Sequence, residues 1–148
     1  MNSTARITLT LARISLGWIF FYAGLTKFLA DSWSASGYIS SSTAFPTFFA
    51  WLSAPENITW VNALNIWGAM AIGVSLILGL FTRIGAFFGA VMMILYWLPI
   101  FHFPYAGEHS LIIDDHIIYA FILLFFAAYG AGKYYGIDAI IRKRKEKK

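Results

Sequence analysis

Residues 73–89 read Gly73-Val-Ser-Leu-Ile-Leu-Gly-Leu-Phe-Thr-Arg-Ile-Gly-Ala-Phe-Phe-Gly89. One apolar run arrives at Thr82, Arg83 interrupts it, and a second run leaves from Ile84. No soluble segment fits between them. The stretch therefore predicts two membrane helices joined by a tight turn, with Arg83 at the headgroups. Positive residues in short loops mark the cytoplasmic side, so this turn sets the orientation of the rest.

The totals agree. Of 148 residues, 59% are hydrophobic and 12% charged, more apolar surface than a soluble domain of this size can hide. One polytopic membrane domain over residues 1–148 follows. The chain has no cysteine. Catalytic thiols, disulfides and cysteine-held metals or clusters are thereby excluded. The net charge of +4 comes mostly from Arg142 to Lys148 and is not a nucleic-acid signal. The first apolar run is long and carries Arg13, which predicts a permanent helix, not a removable signal peptide.

Outward from the turn, the expected spans are residues 7–29, 61–82, 83–101 and 112–132, each near the length that crosses the hydrocarbon. Gly17 and Gly24 share a face of the first span, with Arg13 on the same side. Gly85 and Gly89 stand at GxxxG spacing on the third. Both are packing seams. Residues 31–61 form the largest loop, and its aromatic part from Phe45 to Trp51 predicts a short interfacial helix. With both termini cytoplasmic, ten of the eleven Lys and Arg lie inside, including the basic tail 139–148. Only Lys27 lies outside. Asp31, Glu56, Glu108, Asp114 and Asp115 also lie outside. The expected fold is an all-α four-helix bundle in the plasma membrane, because each backbone must satisfy itself in lipid.

Four stretches carry a resemblance. Leu11-Ala-Arg-Ile-Ser-Leu-Gly-Trp-Ile-Phe-Phe-Tyr-Ala-Gly-Leu-Thr-Lys27 resembles the opening of the DoxX/DoxD family, and Leu78-Gly-Leu-Phe-Thr-Arg83 its tight turn. Asp114-Asp-His-Ile-Ile-Tyr119 with Gly130-Ala-Gly-Lys-Tyr-Tyr-Gly-Ile-Asp138 resembles the fourth helix and exit of one of its branches. In order and spacing they extend the resemblance over nearly the whole chain. It implies a four-helix membrane protein. Its best-known members are DoxD-type subunits of thiosulfate:quinone oxidoreductase, and others are accessory partners of redox enzymes. Members often carry a glutamate in the second helix, where this chain has Ala69.

Asp115, His116 and Tyr119 form the sharpest chemical cluster, since helical spacing lets them share a face. The uncharged run from Ile117 to Gly132 covers only about 24 Å. The cluster then lies at or just inside the outer edge, where ionisable groups face a bundle interior or a pocket. A histidine there can supply a proton to a quinone headgroup. Alternatively, Asp114 to His116 simply cap the helix. Lys27, with His102, offers positive partners for an anion such as thiosulfate, or Lys27 snorkels to the headgroups. Arg13 snorkels inward, or the helix begins later, or Arg13 faces the bundle and pairs with a carbonyl or acid. Trp18, Tyr22, Trp67, Tyr96 and Trp97 either line a quinone slot or pack and belt the helices. His102, His109 and His116 match no metal spacing, so neither a metal nor haem is expected.

Three readings of function follow. The first is a quinone-linked redox subunit with Asp115, His116 and Tyr119 handling protons, and Lys27, His102, Tyr22, Trp18 and Arg13 around the substrate. The second is a non-enzymatic anchor or assembly subunit beside a partner redox or transport protein, or in a homo-oligomer, motivated by the glycine seams and by the lack of any cofactor motif. The third is a bundle that handles lipids or small molecules.

Overall fold

The protein is described by a computed structural model that covers residues 1–107 and 109–145. Glu108 and Glu146 to Lys148, which entered the charge balance, lie outside the described residues. The chain is mostly helical. Its elements are α1 (Ser3–Leu29), α2 (Ser36–Ser40), α3 (Pro46–Ser53), α4 (Pro55–Leu78), α5 (Thr82–Ile100), β1 (Phe101–His102), β2 (Tyr105–Ala106), α6 (Asp115–Tyr129), a 3-10 turn (Ala131–Lys133) and α7 (Ile137–Lys145).

The boundaries have local causes. Asn2 caps α1 by accepting from the Ala5 N–H at 2.9 Å. Pro46 and Pro55 start α3 and α4 at positions where a missing N–H costs no helical bond. Gly79, at φ 65°, ends α4 in the left-handed region. Asp114 caps α6, accepting from the Ile117 N–H at 3.3 Å, and Gly130 at φ 69° closes it.

Helices α1, α4 and α5 are each long and apolar enough to cross a membrane. In each, only 28% of the most apolar window is buried within the chain, so most of that surface faces outward and needs lipid. Helix α6 is apolar but has only 15 residues, well short of the expected 112–132 span. The second span begins six residues earlier than expected, at Pro55. The loop between α1 and α4 holds two short helices where one was expected, and the tail is helical through Lys145. The expected loop after α5 folds as a two-residue hairpin, β1 against β2.

The four longest helices pack in sequence: α1 on α4, α4 on α5, α5 on α6. The core between them is Leu16, Phe20, Ile72, Leu76, Leu123 and Phe126, with small Ala86 and Ala90 at the crossings. The glycines serve these contacts. A Cβ at Gly73 would come 2.5 Å from the Phe21 backbone nitrogen, and one at Gly17 would come 2.9 Å from Leu76 Cβ. Helices α1 and α4 therefore meet backbone to backbone. Gly89 likewise faces Leu123 of α6. The seams expected from the glycine spacing are used inside this chain.

Candidate functional site

Two polar clusters stand along α1, one at Arg13 in its first half and one at Lys27 in its last turn, about 21 Å apart along its axis by helical rise. The first surrounds Arg13, which is 0% exposed. Its guanidinium donates to the carbonyls of Ala131 and Tyr134, each at 3.3 Å, and of Tyr135 at 3.4 Å. Arg13 therefore faces the bundle and pairs with carbonyls, and does not snorkel. The tight turn packs on the same group, since a Cβ at Gly79 would come 2.5 Å from Arg13 Nη1. Asp138 completes the cluster. Its carboxylate accepts from the backbone N–H of Phe81 at 2.9 Å and of Thr82 at 3.0 Å, and its own N–H donates to the Gly79 carbonyl at 2.9 Å. Asp138 thus caps α5 from another element and holds Phe81 at φ 51°, in the left-handed region. Three separate sequence motifs meet here as one structural clasp.

The second cluster surrounds Lys27, in the last turn of α1. Its ammonium turns inward and donates to Asn65 Oδ1 of α4 at 2.8 Å and to the Tyr96 hydroxyl of α5 at 3.1 Å. Tyr96 donates in turn to the same Asn65 oxygen. The ammonium also lies 4.8 Å from the Trp33 ring centroid and 4.9 Å from that of Tyr96. Among the described residues no carboxylate is within ion-pair distance of Lys27. It is therefore not a snorkelling lysine but a half-buried cation with neutral partners.

His116 joins this cluster across Tyr96, edge to face at 6.2 Å between ring centroids. Its Nδ1 lies 2.6 Å from Asp114 Oδ2 and 3.5 Å from Asp115 Oδ1. Asp114 is therefore both the helix cap and the partner that orients the imidazole. Tyr38, from α2, donates to the Tyr96 carbonyl. Burial first, then the charges of Asp114 and Asp115, push its hydroxyl up to about 12, so it stays neutral and donates.

Lys27, Asn65, Tyr96 and His116 line one end of a cavity of about 1010 Å³. From there it runs between α4 and α5 past Leu64, Met92 and Phe88 to Ile84 and Phe81. Ile84 to Ile100 covers about 24 Å of helix. The result is a long apolar groove with a polar head. Its shape and lining suit an amphiphile with an oxygen-bearing headgroup and a long hydrocarbon tail.

The other expected site residues are dispersed. Trp18 and Tyr22 stack on each other on the outer face of α1, 57% and 55% exposed, and do not line the groove. His102 is exposed on β1, its Nδ1 3.1 Å from the Ile100 carbonyl. Arg13 belongs to the opposite end. Asp115 is mostly solvent-facing, and Tyr119 packs against the core. Asp114, Asp115 and His116 each offer one ligand atom within 4.8 Å of one another, a grouping the histidine spacing did not suggest. Ala69 is buried in the core, 2% exposed. The polar group that α4 gives the head of the groove is Asn65, one turn earlier. An asparagine inside an apolar span is the signal that could have found it.

Fold and site define a helical membrane protein with a lipid-accessible groove. The DoxX family profile matches residues 8–102, and the chain belongs to that family. The match takes in α1 through α5 and β1, and stops short of the stretches from Asp114 to Tyr119 and from Gly130 to Asp138. No curated protein and no solved structure matches the chain.

Proposed function

We propose that this protein is the quinone-holding membrane subunit of a redox enzyme, with its headgroup site at Lys27, Asn65, Tyr96 and His116. The single observation that carries this reading is the Lys27 ammonium. Among the described residues it has no acid partner, and it sits at the polar end of an apolar groove. Such a cation keeps unused capacity to donate to a carbonyl oxygen, and charge-assisted bonds of that kind are the strong ones. Tyr96 and Asn65 fix its direction. The Asp114 carboxylate holds a proton on His116 Nδ1, so that this pair can take up or release a proton near the headgroup. A bound quinone would supply two-electron, two-proton chemistry, and the apolar walls from Leu64 to Ile84 would take its tail.

The reading places the chain across the plasma membrane in four passes. Both ends are cytoplasmic, α6 is the shorter fourth span, and the groove head lies at the outer face. Support comes from the two clusters, which divide as the charge balance requires. Arg13, Arg83 and Lys133 gather at one end and Lys27 stands alone at the other. Thiosulfate as reductant fits less directly, because the one outer cation already serves the headgroup. Reductant oxidation is therefore assigned to a partner subunit outside the membrane. Of the two motives for the anchor reading, the glycine seams pack within the molecule, and the lack of a cofactor motif remains.

The test is quinone binding to purified protein. Wild-type chain in mild detergent should bind a short-tailed ubiquinone or menaquinone analogue saturably. Lys27→Met should weaken that binding by about tenfold or more, the value of one charge-assisted bond. Equal affinity in the variant would remove Lys27 from the site.

A further inference from the structure

A second pocket lies at the other end of the molecule. It has a volume of about 380 Å³, and Arg83, Lys133 and Arg142 line it together with Asp138, Thr82 and Gly130. The three cations come from three places in the chain: the start of α5, the 3-10 turn and α7. Each is positioned by its surroundings. Lys133 lies 3.6 Å from the centroid of the Tyr129 ring. Arg83 lies over the backbone at Gly130, where a Cβ would come 2.9 Å from its Nε. Arg142 stands one helical turn beyond Asp138 on α7.

Among the described residues that line the pocket the acid is Asp138, and it is engaged. Both oxygens of Asp138 accept from the N–H groups of Phe81 and Thr82. Thr82 also lines the pocket, and its fully buried hydroxyl has no hydrogen-bond partner among the described residues. A cavity with this charge excess and a spare hydroxyl suits a tetrahedral oxyanion. The pocket mouth carries exposed Phe81 and Ile84, the end of the apolar face of α5. Acyl chains lying on that face would bring a headgroup to the cations.

We propose that this pocket binds a phosphate group, carried on the headgroup of an anionic membrane lipid. Basic pockets between membrane helices on the cytoplasmic side have the chemistry to hold such headgroups. The pocket meets the far end of the groove at Phe81 and Ile84, but its cations line only the pocket, and the proposal uses none of the quinone headgroup residues.

Native mass spectrometry of the full chain released from mild detergent tests it, with phosphatidylglycerol and phosphatidylcholine offered in equal amounts. The wild type should retain phosphatidylglycerol preferentially. Arg83→Gln and Arg142→Gln should each cut that preference by about fivefold, and Arg83→Lys should keep most of it. Inorganic phosphate alone, followed by isothermal calorimetry, separates the sources. Saturable phosphate binding that both variants lose, without any lipid preference, would assign the same site to the free ion. Retention of lipid and phosphate unchanged in Arg142→Gln, an exposed position on α7 that leaves the core intact, would overturn the proposal.

Discussion

Lys27 and Arg13 are the two inward-facing cations of α1, and they do different things. Both terminal nitrogens of Arg13 donate to backbone carbonyls from the chain exit, which makes it a structural clasp. Arg13→Ala would leave three carbonyls without their donor, at a cost of about 3 kcal/mol or more. Arg13→Lys would restore little, because a point-like ammonium cannot reach three carbonyls as a planar fork does. Thermal unfolding in detergent should show both variants well below wild type, with quinone affinity per folded molecule unchanged. Asp138→Ala removes two cap bonds at the tight turn and should cost about 1–2 kcal/mol. Asp138→Asn keeps one acceptor oxygen and should lose less. Much of this was legible in outline. Arg13 shares a face with Gly17, and a cation on a close-packed face must find a partner. Extending that stripe to Gly24 and then three residues on reaches Lys27, so its inward direction was also readable. Its partners were not, because Asn65 and Tyr96 sit on two other helices whose rotation only the packing decides.

Among the elements, the tight turn was the most legible. Gly79 ends α4, and only three residues separate Leu78 from Thr82. Gly79→Ala would place a methyl in the left-handed region and against Arg13, so it should destabilise by more than about 1 kcal/mol. Gly73→Val should act differently. Its side chain would meet the Phe21 backbone and separate α1 from α4, dispersing Lys27 from Asn65 and weakening quinone binding as well as lowering Tm. That joint loss distinguishes it from Gly79→Ala, which acts at the far end. Less legible was the loop between α1 and α4. Its aromatic half signalled one helix, but α2 depends on contacts of Ile39 and Ala35 with Phe49 and Val61. Those contacts are long-range and leave no local period. For α6, the cap at Asp114 was visible. Its pairing with His116 at two residues' separation was not, since spacing along a helix pointed to Asp115 and Tyr119 instead.

At the scale of the whole molecule, three helices carry an apolar exterior that only a bilayer can cover, and α6 packs beside them. If the chain crosses four times, reporter fusions after Lys148 and before Met1 should both report the cytoplasm, and one within residues 41–44 the outside. The family accounts for the framework from α1 to β1. The groove is what this sequence builds within it: an apolar passage between α4 and α5, headed by an ammonium that no acid among the described residues neutralises. The most direct measurement is photo-crosslinking of purified protein with a long-tailed azidoquinone, followed by peptide mapping. The account predicts label on the groove-facing residues of α4 and α5, displaced by unlabelled quinone and strongly reduced in Lys27→Met. Label confined to the outer faces of α1 and α6, or unaltered by that substitution, would contradict it.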